Sequence, residues 1–131
     1  GRILDVLLAS AELKRQDVYI TNVIKCHPPA NRDPLPEEQQ ACLPFLRCET
    51  ALLKPPIIVC LGRIAAQRLI DPRFKITTQH GSWVCRKGYW MTAIYHPSAI
   101  LRDPSKLEET KQDFQGILSK LREIDDQQYP I

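Results

Sequence analysis

Apolar positions at the start of the chain recur at helical spacing. Ile3, Leu4, Leu7, Leu8 and Ala11 form one stripe, which predicts a helix beginning at or before Gly1. After the polar turn ELKRQD comes VYITNVI at 18–24, β-branched and apolar except at Thr21 and Asn22. That composition predicts a strand covered on both faces. CHPPANRDPLP at 26–36 holds four prolines and predicts a long loop. Pro36, Glu37 and Glu38 predict a helix start, with carboxylates at the positive end of the dipole. This helix should run to about Lys54, kinked or restarted at Pro44.

IIVCL at 57–61 predicts a second buried strand, and Gly62 a tight exit into a helix over 63–70. The pattern is weak from Asp71 to Gln79. HGSWVCRKGYWMTAIYH at 80–96 predicts a hairpin turning near Lys87-Gly88, then a core strand MTAIY. HPSAILRDP predicts a loop. Ser105 and Glu108 form a capping-box pattern at the start of a last helix. Leu107, Phe114, Ile117, Leu118, Leu121 and Ile124 line one face of it. Alternating helices and strands indicate an α/β fold, a three-layer α/β/α sandwich with a mainly parallel central sheet. Ligands of such sheets sit beyond the carboxyl ends of the strands. Three loops should gather there, after 18–24, at Gly62-Arg63 and at His96.

The 131 residues suit one domain, 1–131, and 44% hydrophobic with 25% charged content is ordinary for a globular chain. A net charge of +3 mildly favours an anionic partner. No apolar run approaches 18 residues, so no membrane partner is expected. Five cysteines without framework spacing, and no signal peptide, fit reduced thiols in a cytoplasmic setting. The chain opens inside a helix and its single methionine is Met91. It therefore reads as an N-terminally truncated fragment with the first strand missing, and the exposed sheet edge invites self-association.

Asn22 offers an acceptor and two donors, suited either to local backbone or to the edge of a nucleobase. His96 follows a core strand, and Pro97 restrains it to extended geometry. It is either a surface histidine or a fixed base or hydrogen-bond donor. Cys60 reads as a buried thiol, and each cysteine taken singly as a small buried hydrophobe. Ile100-Leu101 either packs under the last helix or wedges between base steps. Lys25, Arg32, Arg63 and Arg102 all fall on the expected functional edge, which suggests a phosphate backbone.

Four segments in order, YITNVIKCHPPANRDPLPEEQQACLPFL, IIVCLGRIAAQRL, ITTQHGSW and IYHPSAILRDP, resemble the family-4, iron–sulfur uracil-DNA glycosylases. The resemblance covers about residues 1–121. It implies base excision repair of uracil-containing DNA, by hydrolysis of the glycosidic bond of a flipped uracil. It implies that Asn22 reads the base and that His96 supports catalysis at uracil O2. It implies DNA contacts by Gly62, Arg63, Pro97, Ser98 and Arg102, with Ile100 or Leu101 filling the gap left by the nucleotide. Cys26 and Cys42 match two of four ligands to a 4Fe-4S cluster that would anchor the loop 26–36. The family's other two cysteines, its acidic glycine-rich motif and its base-stacking aromatic would precede Gly1. On that expectation the 131-residue chain alone is inactive or nearly so, and two cysteines alone cannot hold the cluster. Two alternatives are a glycosylase for another deaminated base such as hypoxanthine, and a non-catalytic nucleic-acid-binding module. No glycine-rich fingerprint supports a Rossmann nucleotide site.

Overall fold

The opening stripe folds as its spacing predicts. In the computed structural model α1 spans Arg2–Ser10, burying Leu4, Leu7 and Leu8 while Val6 faces out. The structure describes residues 2–13, 18–20, 37, 47, 48 and 50–128, the last four by backbone alone. It divides into two units, residues 1–18 with 56–131, and residues 19–55. In the second unit residues 50–53 are helical, and the helix closes with Lys54 N–H donating to the Thr50 carbonyl at 2.8 Å. This agrees with the predicted end near Lys54. Residues 18–20 are not in a strand; the rest of the expected strand, the loop 26–36 and the kink at Pro44 lie outside the described residues.

In the first unit β1 (Ile57–Leu61) leads through α2 (Arg63–Leu69) and a single turn α3 (Ile76–Gln79) to β2 (Val84–Arg86) and β3 (Tyr89–Ile94). The described strands form one sheet in the order β1-β3-β2. β1 runs parallel to β3, with Ile57 opposite Trp90 and Leu61 opposite Ile94. β2 pairs antiparallel with β3. Lys87 and Gly88 turn that hairpin with φ of 52° and 84°. Two left-handed residues match the twist of the flanking strands, which is why a glycine follows the lysine.

Cores form on both sides of the sheet. Cys60, Met91 and Ala93 pack with Ala66, Ile70 and Phe74. Ile94 packs with Leu4, Leu7 and Leu8 of α1, with Ile100, and with Phe114 and Ile117 of the last helix, α5 (Lys106–Gln128). Helices on both faces of a mixed sheet make this an α/β fold. Gln115 Nε2 donates to the Ser10 carbonyl, tying α5 to α1. Lys120 lies 4.0 Å from the Trp90 ring centroid and 5.4 Å from that of Trp83, so its charge rests on aromatic faces rather than in open water.

Three local expectations are corrected. HPSAILR is helical: α4 spans Pro97–Arg102, with His96 as N-cap and Pro97 in its first turn. Proline needs no N–H there, and the residues after it are mostly good helix formers. The weak stretch 71–79 contains α3, where Gln79 Oε1 accepts from Lys75 N–H at 2.7 Å. The expected capping box at Ser105 is replaced by an aspartate. Ser105 N–H and Oγ both donate to Asp103 Oδ1, at 3.2 and 2.6 Å. These bonds hold the exposed Asp103 carboxyl below its ordinary range.

Phe114 is buried where α5 meets α1 and the sheet. Phe114→Ala is expected to lose about 3–5 kcal/mol of stability through lost transfer energy and a cavity. Val6→Ala should stay within about 0.5 kcal/mol, since Val6 lies on the exposed face. Urea unfolding of both variants checks the difference.

Candidate functional site

Because β1 and β3 are parallel neighbours, their carboxyl ends stop side by side. Gly62 follows β1, and Tyr95 and His96 follow β3. Gly62 N–H donates to the Ile94 carbonyl at 2.8 Å, extending the pairing by one residue. Gly62 has φ of 91°, a conformation that disfavours side chains. A Cβ there would also lie 3.0 Å from Cβ of His96. The glycine therefore supplies both the turn and the room in which the histidine sits.

His96 has φ −64° and ψ 143° ahead of Pro97. Its Nδ1 accepts from the Ser98 backbone N–H at 3.1 Å and lies 2.9 Å from Ser98 Oγ. A backbone N–H has only a proton to offer, so Nδ1 must present its lone pair. The neutral ring then carries its proton on Nε2. Removal of hydration by surrounding protein, and secondly the charge of Arg102, hold the His96 pKa below its ordinary value of 6.5. The ring retains solvent exposure on its open side. The arrangement presents a neutral N–H donor fixed at the end of a strand.

Around this donor α4 sorts the remaining predicted residues. Pro97 is half-buried in the first turn, and Ser98 and Arg102 are exposed. Arg102 Nε reaches the Ser98 carbonyl at 3.4 Å, one helical turn back. Ile100 is only 2% exposed and belongs to the core, whereas Leu101 is 71% exposed. Of the two apolar residues whose packing or exposure the sequence leaves open, the helix turns Ile100 into the core and leaves Leu101 at the surface. Arg63 is exposed at the start of α2, beside Gly62. The structure thus brings Gly62, Arg63, His96, Pro97, Ser98, Leu101 and Arg102 to one sheet end. Asn22, Cys26, Cys42, Lys25 and Arg32 lie outside the described residues.

Among the described cysteines, Cys60 is buried and its thiol is pushed up to about 12 by burial. It stays protonated and inert. Cys48 and Cys85 are exposed, which corrects the expectation of small buried hydrophobes. Among the described residues no cluster of three or more histidine, cysteine, aspartate or glutamate side chains is arranged to hold a metal ion.

One polar cluster was not singled out by the sequence. His80 Nδ1 lies 2.7 Å from Asp113 Oδ2, and Nε2 lies 3.5 Å from Glu109 Oε2. The His80 ring packs on Tyr95 with centroids 4.8 Å apart. The only trace in the sequence is the four-residue spacing of Glu109 and Asp113, which puts two carboxylates on one face of α5.

The lowered pKa has a definite sign. It keeps His96 neutral to a lower pH than a free histidine, so the Nε2–H donor on a neutral ring is lost only as pH falls through that lowered value. NMR titration is expected to give His96 a pKa below 6.5. Arg102→Gln should raise it part of the way back. A His96 pKa above 6.5 in both proteins would contradict the geometry.

The sequence profile of the Uracil DNA glycosylase superfamily matches residues 1–122. The chain is 44% identical over 125 residues to a type-4 uracil-DNA glycosylase of Archaeoglobus fulgidus, a match covering 89% of this chain and 63% of that protein. It is 41% identical over 109 residues to a type-4 uracil-DNA glycosylase of Thermotoga maritima, covering 80% and 56%. It is 37% identical over 121 residues to one of Pyrobaculum aerophilum, covering 86% and 62%. The chain thus spans between 56% and 63% of the length of these relatives. A match that runs from the first helix into the last, through both strand ends that carry the donor, means that the chain belongs to the uracil-DNA glycosylase superfamily.

Proposed function

We propose that the protein carrying this sequence is a uracil-DNA glycosylase of base excision repair, hydrolysing the bond between uracil N1 and the deoxyribose. The observation that carries the reading is the fixed neutral His96, with Nδ1 occupied by Ser98 N–H and the proton on Nε2. As the C1′–N1 bond lengthens, the base takes the electron pair and negative charge spreads onto O2. A fixed N–H donor beside O2 stabilises that charge without having to reorganise. Water adds its oxygen to C1′, losing one proton, and the departing uracil anion is protonated. A neutral donor suits this step because the ring need not surrender its proton to the weakly basic anion.

In this reading Asn22 accepts from uracil N3–H and donates to O4. Cytosine presents the opposite pattern at both positions. Each buried group left unpaired would cost roughly 1–3 kcal/mol, enough together for selectivity of several orders of magnitude. Ser98, Gly62, Arg63, Pro97 and Arg102 would hold the phosphate backbone, and Leu101 would fill the space of the flipped nucleotide. The exposure of Leu101 and the burial of Ile100 support that choice between them. Cys26 and Cys42 would be two ligands of a 4Fe-4S cluster, which would anchor the loop 26–36. No catalytic step passes through the cluster. The three described cysteines carry free thiols, which supports a cytoplasmic setting. No helix among the described residues is long and apolar enough to cross a membrane.

The test uses the complete natural protein. Incubation with a uracil-containing oligonucleotide followed by alkali should cut the strand at uracil. A hypoxanthine-containing oligonucleotide in parallel should remain intact. His96→Leu should slow uracil release by on the order of 10²–10³-fold, with DNA binding retained. Unchanged release by that variant would sink the mechanism.

A further inference from the structure

The His80 cluster packs on Tyr95, the residue before His96, and the proposed chemistry does not use it. Tyr95 is 6% exposed and immediately precedes His96. The His80 ring packs against it with an interplanar angle of 37°, and Lys106 Nζ lies 5.2 Å from its centroid. His80 closes α3, and the turn it starts is bonded to β3 itself. Gly81 N–H donates to the Ala93 carbonyl at 2.8 Å, two residues before Tyr95.

The far edge of His80 is held by α5. The side chains of His80 and Asp113 are 18% and 11% exposed, and their 2.7 Å bond is the shortest link between the two elements. Glu109 stands 3.5 Å from the other ring nitrogen. Asp113 is unusual in that burial pushes its carboxyl up, against the lowering effect of the His80 bond. A Cβ on Gly81 would collide with the Asp113 carboxylate, so the glycine makes room for this bond. A tether between a turn and a helix could be apolar at lower desolvation cost. A hydrogen-bonded ring instead fixes direction as well as distance, and what this ring faces is the residue before His96.

His96 has few other freedoms. Pro97 follows it, Ser98 caps its Nδ1, and Ile100 roots α4 in the core. The position of its Cα is set from the other side, by Tyr95. We propose that His80 is a positioning residue, held by Asp113, whose ring backs Tyr95 and thereby fixes where the His96 imidazole stands. The proposal rests on the reading of His96 as the donor to the departing base. Contacts realised only in the transition state are sensitive to such displacement, and a shift of about 1 Å can cost on the order of 10²-fold. Loosening Tyr95 should therefore lower kcat while leaving KM nearly unchanged.

The experiment measures kcat, KM, thermal unfolding and the ¹⁵N resonances of His96 in the complete protein. His80→Ala is expected to lower kcat by on the order of 10–100-fold with KM little changed, and to move the His96 ring resonances. Asp113→Asn, which keeps the shape, should do the same more weakly. His80→Arg keeps both an N–H donor for Asp113 and a flat face for Tyr95, and should recover most of the rate. Wild-type kcat in His80→Ala, or a loss of rate with His96 resonances unmoved, overturns the proposal. If His80→Ala does not fold, the same readings in Asp113→Asn decide it. A failure of the glycosylase reading is distinguishable, because it would appear as undiminished release by His96→Leu whatever the His96 resonances do in the His80 variants.

Discussion

The backbone N–H of Ser98 bonded to Nδ1 of His96 is the contact on which the rest of the site depends. It settles three things together. It satisfies a donor that the first turn of α4 leaves orphaned, so the helix can begin directly after β3. It assigns the ring lone pair to Nδ1 and the proton to Nε2, turning a titratable group into a donor of fixed direction. It also sets the phase of α4, and the phase decides that Ile100 enters the core while Leu101 and Arg102 stay at the surface. Chemistry and packing are one arrangement here, because the helix that caps itself on the histidine is the helix whose buried residue holds it down.

Electrostatics acts in the same direction as the geometry. Protonation of Nδ1 would set one N–H against another, and Arg102 on the next turn adds a second penalty after that of desolvation. A cationic ring would bind an anion more strongly at rest, but it would also tend to lose its proton to the anion. A neutral ring gives a weaker bond that is present in one form over the whole neutral pH range. Arg63 and Arg102 are both exposed at the same sheet end, so positive charge there is separate from the neutral ring. In the proposed reaction, attraction for the nucleic acid and stabilisation of the leaving base could then be set independently.

Much of this was legible along the chain, for reasons that can be named. The α1 stripe, the β-branched run at 57–61, the Lys87-Gly88 turn and the apolar face of α5 are local signals, each read within one or two turns of chain. The convergence of Gly62 and His96 followed from a topological rule about parallel strands. Where reading failed, a residue had a second meaning. In sequence Pro97 reads as the end of regular structure, whereas in the fold it begins a helix. That one error left Ile100 and Leu101 indistinguishable, since only helical phase separates them. Asp103 displaced Ser105 as the acceptor in a polar cluster where several residues can play the part. The bond between His80 and Asp113 joins residues 33 apart and leaves no periodic trace.

The glycines show why such pairs escape sequence reading. A side chain at Gly62 would crowd Cβ of His96, and one at Gly81 would run into the Asp113 carboxylate. Each is a vacancy shaped by a residue distant in the chain, one on either side of the end of β3. Both have positive φ, so each turn also needs glycine for its own backbone. The local reason is visible in the sequence as a turn and hides the distant one. A side chain at either position would act mainly through its neighbour, displacing His96 directly in one case and loosening the support behind Tyr95 in the other. The end of β3 is thus flanked by two glycines, Gly62 leaving room for His96 itself and Gly81 for the carboxylate that holds the His80 ring against Tyr95.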